Sequence, residues 1–278
     1  MKKKIVLMLT VIMLIGLAGC GKNQINIKET GTSDNNEQMV QNIYENKRTE
    51  VKQKISEIKE RLPETSAEDK GTCGSKAKWY YKDNTLIIYG EGVITEDTWH
   101  KSNIVINTVV IDSGITKLGN NMFSGLGSEV GKNIENFYIA DGLEEIGSST
   151  FVNCDCLSEI VLPPSLYFID GYTFASCDSL KKIYMTDGVE KIGDSAFTGC
   201  KSLESIFIPK TVRAIGNGVF TGCNNLSDIQ ISKDNRIFSE KNNCIINNDT
   251  KTLIYAINKD FSIPDDILCI AEDAFYGC

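Results

Sequence analysis

The sequence predicts a repeat solenoid built mainly from short β-strands, with tight turns or short helical segments between them. The first observation is that Cys154, Cys177, Cys200 and Cys223 follow one another at intervals of 23 residues. The same interval separates four further sets of residues: Phe151, Phe174, Phe197, Phe220; Leu157, Leu180, Leu203, Leu226; Ile146, Ile169, Ile192, Ile215; Ile160, Ile183, Ile206, Ile229. Several registers that share one period indicate stacked supersecondary units, each burying its apolar residues against the next.

One unit of this pattern has three parts. The segment 203–209, Leu-Glu-Ser-Ile-Phe-Ile-Pro, predicts a short strand, Val212 and Ile215 begin the return, and Phe220 leads to Cys223. The unit LxxIxIPxxVxxIGxxAFxxC resembles the BspA-like leucine-rich repeat of bacterial and some protist surface proteins, over roughly residues 104–278. This resemblance implies a leucine-rich-repeat fold and an association with adhesion to host matrix proteins or to other bacteria. A fold this widespread does not transfer a ligand.

The repeat is interrupted twice. Phe123 and Phe151 are 28 residues apart, and the extra residues fall around 125–131. A second excess, near 233–260, predicts a hairpin insertion because two β-branched runs flank Asn247-Asn248-Asp249. The sequence ends at Cys278, where a further strand would begin, so we expect missing repeats or a partner at that open end.

Residues 71–103 predict a β-hairpin that caps the first coil. Aromatic and β-branched runs at 78–81 and 85–89 are separated by Lys82-Asp83-Asn84. A segment of this kind often precedes BspA-like repeats, and the resemblance therefore implies the same capping role.

The first 19 residues have the features of a secretory signal peptide. Three lysines precede an apolar run from Ile5 to Leu17, which is too short to span a bilayer comfortably. Leu17-Ala18-Gly19-Cys20 resembles the lipobox of bacterial lipoproteins, which implies that Cys20 is acylated and becomes the first mature residue. We therefore expect a protein tethered by acyl chains, palmitate among them, to the extracellular face of the cell membrane.

Residues 20–70 predict a polar spacer that contains a helix or remains disordered. Val40, Ile43, Lys47, Val51, Ile55, Ile58 and Leu62 recur at steps of three and four residues until Pro63. Two interpretations remain open: a coiled-coil stalk, or a single amphipathic helix lying on the domain.

Charge and strand alternation indicate the kind of partner. The formal charge of −8 becomes −11 when Lys2, Lys3 and Lys4 leave with the signal, which argues against nucleic acid as a partner.

The candidate binding site is a row of strand residues that point away from the core: Val110, Tyr138, Val161, Tyr184, Phe207, Gln230. If exposed, this row suits an extracellular protein or glycan, although the same residues could simply stack as cross-strand pairs.

The sequence gives no reason to expect catalysis, a cofactor or a metal site. His100 is the only histidine, and phosphate-loop, GxSxG and HExxH motifs are absent. Cys154-Asp155-Cys156 lacks zinc-ligand spacing. The cysteines of the repeat favour buried free thiols over disulfides, because they recur beside inward-facing phenylalanines.

Two functions follow as hypotheses. The first is a surface-anchored protein whose repeats bind an extracellular macromolecule. The alternative is a structural or assembly component of the cell envelope without a dedicated ligand.

Overall fold

The computed structural model describes residues 33–99, 104–126, 129–257 and 261–276. The predicted signal peptide, Cys20, His100 and Cys278 lie outside these ranges. Within them the chain forms a β-solenoid with one long helix packed along its side, and the fold class predicted from the 23-residue period is confirmed.

Each coil contributes two short strands, numbered here along the chain. The first row of strands consists of β4 (Thr108–Ile111), β6 (Asn136–Ile139), β8 (Glu159–Val161), β10 (Lys182–Tyr184), β12 (Ser205–Ile208) and β14 (Asp228–Ile231). The second row consists of β5 (Ile115–Leu118), β7 (Glu145–Ile146), β9 (Phe168–Ile169), β11 (Lys191–Ile192) and β13 (Ala214–Ile215). All pairing within each row is parallel, because successive coils repeat the same path.

The core between the rows is a set of columns of identical residues. The rings of Phe151, Phe174, Phe197 and Phe220 stack nearly parallel, with centroids 5.0, 5.6 and 5.7 Å apart. All four are fully buried, as are the leucines and most isoleucines of the repeat. The 23-residue period therefore arises because each coil must present the same shape to its neighbour.

The recurring cysteines are buried free thiols, as expected from their register. The Sγ of Cys177, Cys200 and Cys223 each donates a hydrogen bond of 3.0 Å to the carbonyl of the phenylalanine 26 residues earlier. Burial raises the pKa of Cys177 and Cys200 well above the ordinary thiol value. The three thiols therefore tie coils together, and those of Cys177 and Cys200 stay protonated.

Both interruptions of the period form structure of their own. The longer repeat contains the short helix α2 (Glu129–Lys132). Near the C-terminal end the chain forms β15 (Phe238–Lys241), β16 (Cys244–Asn247) and β17 (Thr252–Ala256), which pair antiparallel in that order. Strand β18 (Cys269–Ile270) then pairs parallel with β17 and resumes the coil.

The N-terminal end of the solenoid is covered by β1 (Asp69–Thr72), β2 (Lys76–Lys82) and β3 (Thr85–Ile94). The hairpin of β2 and β3 is that of the sequence analysis, and β1 adds a strand to its edge. The first half of β3 pairs with β4 and its second half pairs with β5. One strand thus begins both rows.

Helix α1 (Ser33–Arg61) precedes the cap and ends just before a 3-10 turn at Glu64–Ser66. At about 1.5 Å per residue its 29 residues extend over about 43 Å. The helix lies across the first row of strands, from β14 to β2, through contacts described below. Over residues 33–61 the chain is therefore not a stalk. It is the amphipathic helix that lies on the domain.

Candidate functional site: the ladder face beneath helix α1

The six residues of the predicted binding row lie on one surface of the first row of strands, here called the ladder face. Val110 pairs with Tyr138, Val161 with Tyr184, and Phe207 with Gln230. The sequence analysis therefore places them correctly, side by side and pointing away from the core.

The expectation that this row is exposed is wrong. Val110 is fully buried and Val161 is 5% exposed, while Tyr138, Tyr184, Phe207 and Gln230 are partly buried. Helix α1 covers the row, and its apolar residues form one cluster with Val110 and Val161. A ladder of β-branched and aromatic side chains is an apolar surface, and here the chain's own helix removes it from water.

One seam of α1 makes this contact. Its buried residues recur at steps of four and three: Tyr44, Arg48, Val51, Ile55, Ile58, Leu62. This spacing is the seam of a heptad repeat, which keeps one narrow stripe of a helix facing a long surface. The helix therefore uses a coiled-coil pattern to pack against a sheet.

Arg48 and Tyr44 bind the main chain of the sheet at the point where a proline interrupts it. After β6 and β14 the next amide donates to the coil before it: Ala140 N to Ile111 O and Ser232 N to Ile208 O, both at 2.9 Å. The next residue in this register is Pro163, which has no N–H to give to Ile139 O. Arg48 Nη1 donates to Ile139 O instead, at 2.9 Å.

Tyr44 makes the corresponding bond one coil further along. Its hydroxyl donates to Leu162 O at 2.8 Å. Burial is the main reason that the pKa of Tyr44 is raised far above the ordinary phenol value, so the hydroxyl keeps its proton. Residues four apart on a helix lie about 6 Å apart, and adjacent strands of a sheet lie about 4.8 Å apart. One helix turn therefore spans about the distance between two successive coils.

Acidic residues at both ends of the first-row strands pair with basic residues of the helix. Lys47 Nζ lies 2.8 Å from Glu159, and Lys59 Nζ lies 2.5 Å from Asp112. Asp141 pairs with both Arg48, at 2.5 Å, and Lys52, at 2.7 Å. Desolvation alone would raise the pKa of Asp141, but hydrogen bonds from these two cations outweigh it and lower the pKa.

The two ends of α1 are held by polar contacts. At the N-terminal end Ser232 Oγ donates to Glu37 at 2.5 Å, and at the C-terminal end Tyr80 Oη donates to Leu62 O at 2.9 Å. Between residues 36 and 43, however, no side chain of the helix is fully buried. The C-terminal two thirds of α1 are therefore packed tightly and the N-terminal third loosely.

Two cavities lie at the loosely covered end of the ladder face, and another of about 440 Å³ lies further along α1 beside Val51, Tyr138 and Val161. One, of about 100 Å³, lies between Val40 and Ile43 of the helix and Tyr184, Phe207 and Gln230 of the ladder. The other, of about 470 Å³, is lined by Phe207 and Gln230 together with residues of the insertion: Phe238, Ser239, Glu240. Phe207 and Gln230 line both.

The sequence analysis missed Tyr44 and Arg48 and assigned the seam to Ile43 and Lys47. In the structure Ile43 is half-buried and Lys47 lies at the flank, with Nζ 5.6 Å from the centroid of the Tyr184 ring. The unbroken 4-3-4-3-4 spacing from Tyr44 to Leu62 was the available signal. That spacing is hard to recognise because a charged residue, Arg48, occupies one position of an otherwise apolar stripe.

The described ranges contain no group of three or more histidine, cysteine or acidic side chains placed to hold a metal ion. Over the same part of the chain, no helix combines the length and apolar character that crossing a bilayer requires.

Comparison with known proteins identifies the repeat. Residues 128–251 match six copies of the family described as BspA type leucine rich repeat region. None of the functionally curated proteins is similar enough to count as a relative.

Similar solved structures support the fold. A leucine-rich repeat protein from Eubacterium ventriosum aligns with a TM-score of 0.64 at 21% identity, over 75% of this chain and 57% of the other. The pneumococcal vaccine antigen PcpA aligns with a TM-score of 0.56 at 18% identity, over 75% and 62%. A leucine rich cell surface protein from Faecalibacterium prausnitzii aligns with a TM-score of 0.58 at 22% identity, over 77% and 69%.

The chain thus spans less than two thirds of the length of the first two of these proteins, and at these identities the likeness concerns the fold alone. The period and the stacked columns agree with the six matched copies, and residues 128–251 are similar to the BspA type leucine rich repeat region.

Proposed function

We propose that this chain is a lipid-anchored bacterial surface protein whose solenoid binds an extracellular protein or glycan at the open end of the ladder face. The observation that carries the proposal is the pair of cavities beside β12 and β14. There Phe207 and Gln230 are only partly covered by α1, and the insertion hairpin adds Phe238 and Glu240 to the wall. Aromatic residues in a concave, partly polar site are typical of recognition surfaces.

The six candidate residues then divide into two groups. Tyr184, Phe207 and Gln230 would contact the ligand, since all three line the apolar cavity, although Tyr184 also packs against the cluster beneath α1. Val110, Tyr138 and Val161 pack in the cluster that includes Val51 and Ile55 of the helix and line no part of that cavity. While α1 is in place, substituting the second group would therefore act on ligand binding only through the position of the helix.

Anchoring at Cys20 is part of the same proposal. Helix α1 begins beside β14, and the 13 chain steps from Cys20 to Ser33 reach at most about 45 Å. A lipid on Cys20 would thus hold the protein by the C-terminal end of the solenoid. We expect mass spectrometry of the mature N-terminus to find an acylated Cys20, and Cys20→Ser to release the protein from the membrane fraction.

The binding proposal is tested on an array of purified extracellular-matrix proteins and bacterial cell-wall glycans. The full chain is compared with a variant carrying Phe207→Ala and Gln230→Ala. The matched control is Tyr172→Ala, since Tyr172 is an aromatic residue that is 51% exposed and does not belong to the ladder. We expect the double variant to lose at least tenfold in affinity for any bound component while the control keeps it.

Equal affinities in all three proteins would overturn the assignment of the ladder face. Absence of binding to every component would favour the alternative function, a structural component of the cell envelope.

A further inference from the structure

We propose that the ladder face is a helix-binding surface and that α1 holds the place of an amphipathic helix supplied by a partner protein. The proposal deepens the function above by naming the partner class, and it rests on the ladder face being the recognition surface. Three features of that surface select a helix over a glycan or an extended peptide.

The first feature is a pair of main-chain acceptors that the sheet itself leaves available to the helix. Pro163 cannot donate to Ile139 O, and the helix supplies Arg48 there and Tyr44 at Leu162 O. A buried carbonyl without a donor is costly, so an occupant must bring two donors spaced for adjacent coils. Positions i and i+4 of a helix provide that spacing.

The second feature is charge complementarity on both sides of the helix. Asp112, Asp141 and Glu159 face the helix from three successive coils, and each pairs with a lysine or arginine of α1. The first two acids follow the C-terminal ends of their strands and Glu159 begins its strand, so they favour a helix with basic residues on both sides of its seam. The three acids occupy fixed positions along the solenoid. Only one direction of a bound helix brings its basic residues to all three of them.

The third feature is the uneven hold on α1. Its fully buried side chains lie from Tyr44 onward, and the cavity of about 100 Å³ lies beneath Val40 and Ile43. An incoming helix can therefore begin to pack at the β12–β14 end while the C-terminal part of α1 is still in place. Replacement then proceeds coil by coil along the ladder.

The partner segment has a definite chemistry. It is an amphipathic helix of about six turns with apolar residues at the 4-3 spacing, a hydroxyl donor and an arginine four residues later near its middle, and lysines at the flanks. Such a segment would present to the ladder the groups that α1 presents through Tyr44, Arg48 and Val51.

The test uses the full chain with a protease recognition sequence placed in the exposed turn at Glu64–Ser66. After cleavage, α1 is held by its contacts alone. A fluorescent synthetic peptide of residues 33–62 serves as the probe, and binding is followed by fluorescence anisotropy with and without cleavage. We expect the peptide to bind the cleaved protein, and to bind the intact protein far more weakly because the tethered helix competes.

Specificity is tested with three peptide variants. Arg48→Ala and Tyr44→Phe each remove one donor to a sheet carbonyl, and we expect the first to weaken binding about tenfold or more. The control is Asn46→Ala, at an exposed position of the helix between the two. Circular dichroism of the cleaved protein shows that the solenoid remains folded.

Failure of the peptide to enter the cleaved, folded protein would overturn the helix-binding proposal. Equal affinity of all the peptides would overturn it as well. Neither result would depend on a ligand from the array, so the proposed function can fail or survive separately. If the peptide binds the cleaved protein but no component of the array binds the full chain, the helix-binding proposal stands. The proposed extracellular ligand class would then be wrong.

Discussion

Replacing Arg48 by alanine should detach helix α1 from the ladder face. The side chain is 4% exposed and donates to Ile139 O while pairing with Asp141. Leaving a buried carbonyl without its donor costs about 1–3 kcal/mol. Asp141 is 43% exposed, so water screens the lost ion pair and it adds at most about 1 kcal/mol. We expect a total loss of about 1–4 kcal/mol from helix docking.

Hydrogen exchange read by mass spectrometry measures this loss region by region. In Arg48→Ala the amides of α1 should exchange about 5-fold to 700-fold faster, since each 1.4 kcal/mol corresponds to a factor of ten. Amides of the central coils, such as those of Phe174 and Phe197, should keep their protection because their columns are untouched. The control is Arg61→Ala, at an exposed arginine on the last turn of the same helix.

Unchanged exchange of α1 in Arg48→Ala would refute the role of the arginine. Equal acceleration in α1 and in the central coils would show that the helix and the solenoid unfold as one unit, which would contradict separate docking.

Three further predictions concern the solenoid and its edge. Leu180→Ala should lower the free energy of unfolding by about 2–5 kcal/mol and Phe275→Ala by less. The reason is that Leu180 is fully buried in a central coil, whereas Phe275 is partly exposed in the last coil. Equal denaturation midpoints of the two variants would contradict the stacked columns. A thiol reagent should label the exposed Cys156 and Cys269 quickly in the native protein, whereas the thiols of the repeat column should react only after unfolding; rapid labelling of the column would contradict its burial. The pKa of Asp141 is lowered in the folded state, so its contribution to helix docking is complete above the unfolded aspartate pKa, about 3.9, and is lost as the pH falls through the folded pKa. After correction for the intrinsic pH dependence of amide exchange, a protection factor of α1 that does not change between pH 6 and pH 2 would contradict this.

The solenoid could be predicted from the sequence because its physics is periodic. Each column must repeat one residue type every 23 positions, so Phe174 or Cys200 reports the same environment as its counterparts. The outward direction of Tyr184 and Phe207 followed from strand alternation in the same way. These features depend on neighbours that are close in register, and a single sequence displays them directly.

The covering of the ladder face could not be predicted in the same way. It depends on contacts between residues about 90 to 120 positions apart, such as Arg48 with Ile139 and Tyr44 with Leu162. A helical stripe indicates that a surface will be buried, but it does not say against what. Pro163 carried a further clue, since its missing N–H requires a donor from elsewhere. The missing N–H can be recognised as a missing donor only when the pairing of Pro163 with the preceding coil is known.

The central claim is that α1 lies on the ladder face with Tyr44 at Leu162. The most direct test replaces Tyr44 by the photoreactive residue p-benzoylphenylalanine and identifies the crosslinked peptides by mass spectrometry. The structure predicts an intramolecular crosslink from position 44 to the segment around Val161 and Leu162, or to Tyr184 on the adjacent strand. A monomer without any crosslink to the first row of strands, or a crosslink to the second row, would contradict the claim.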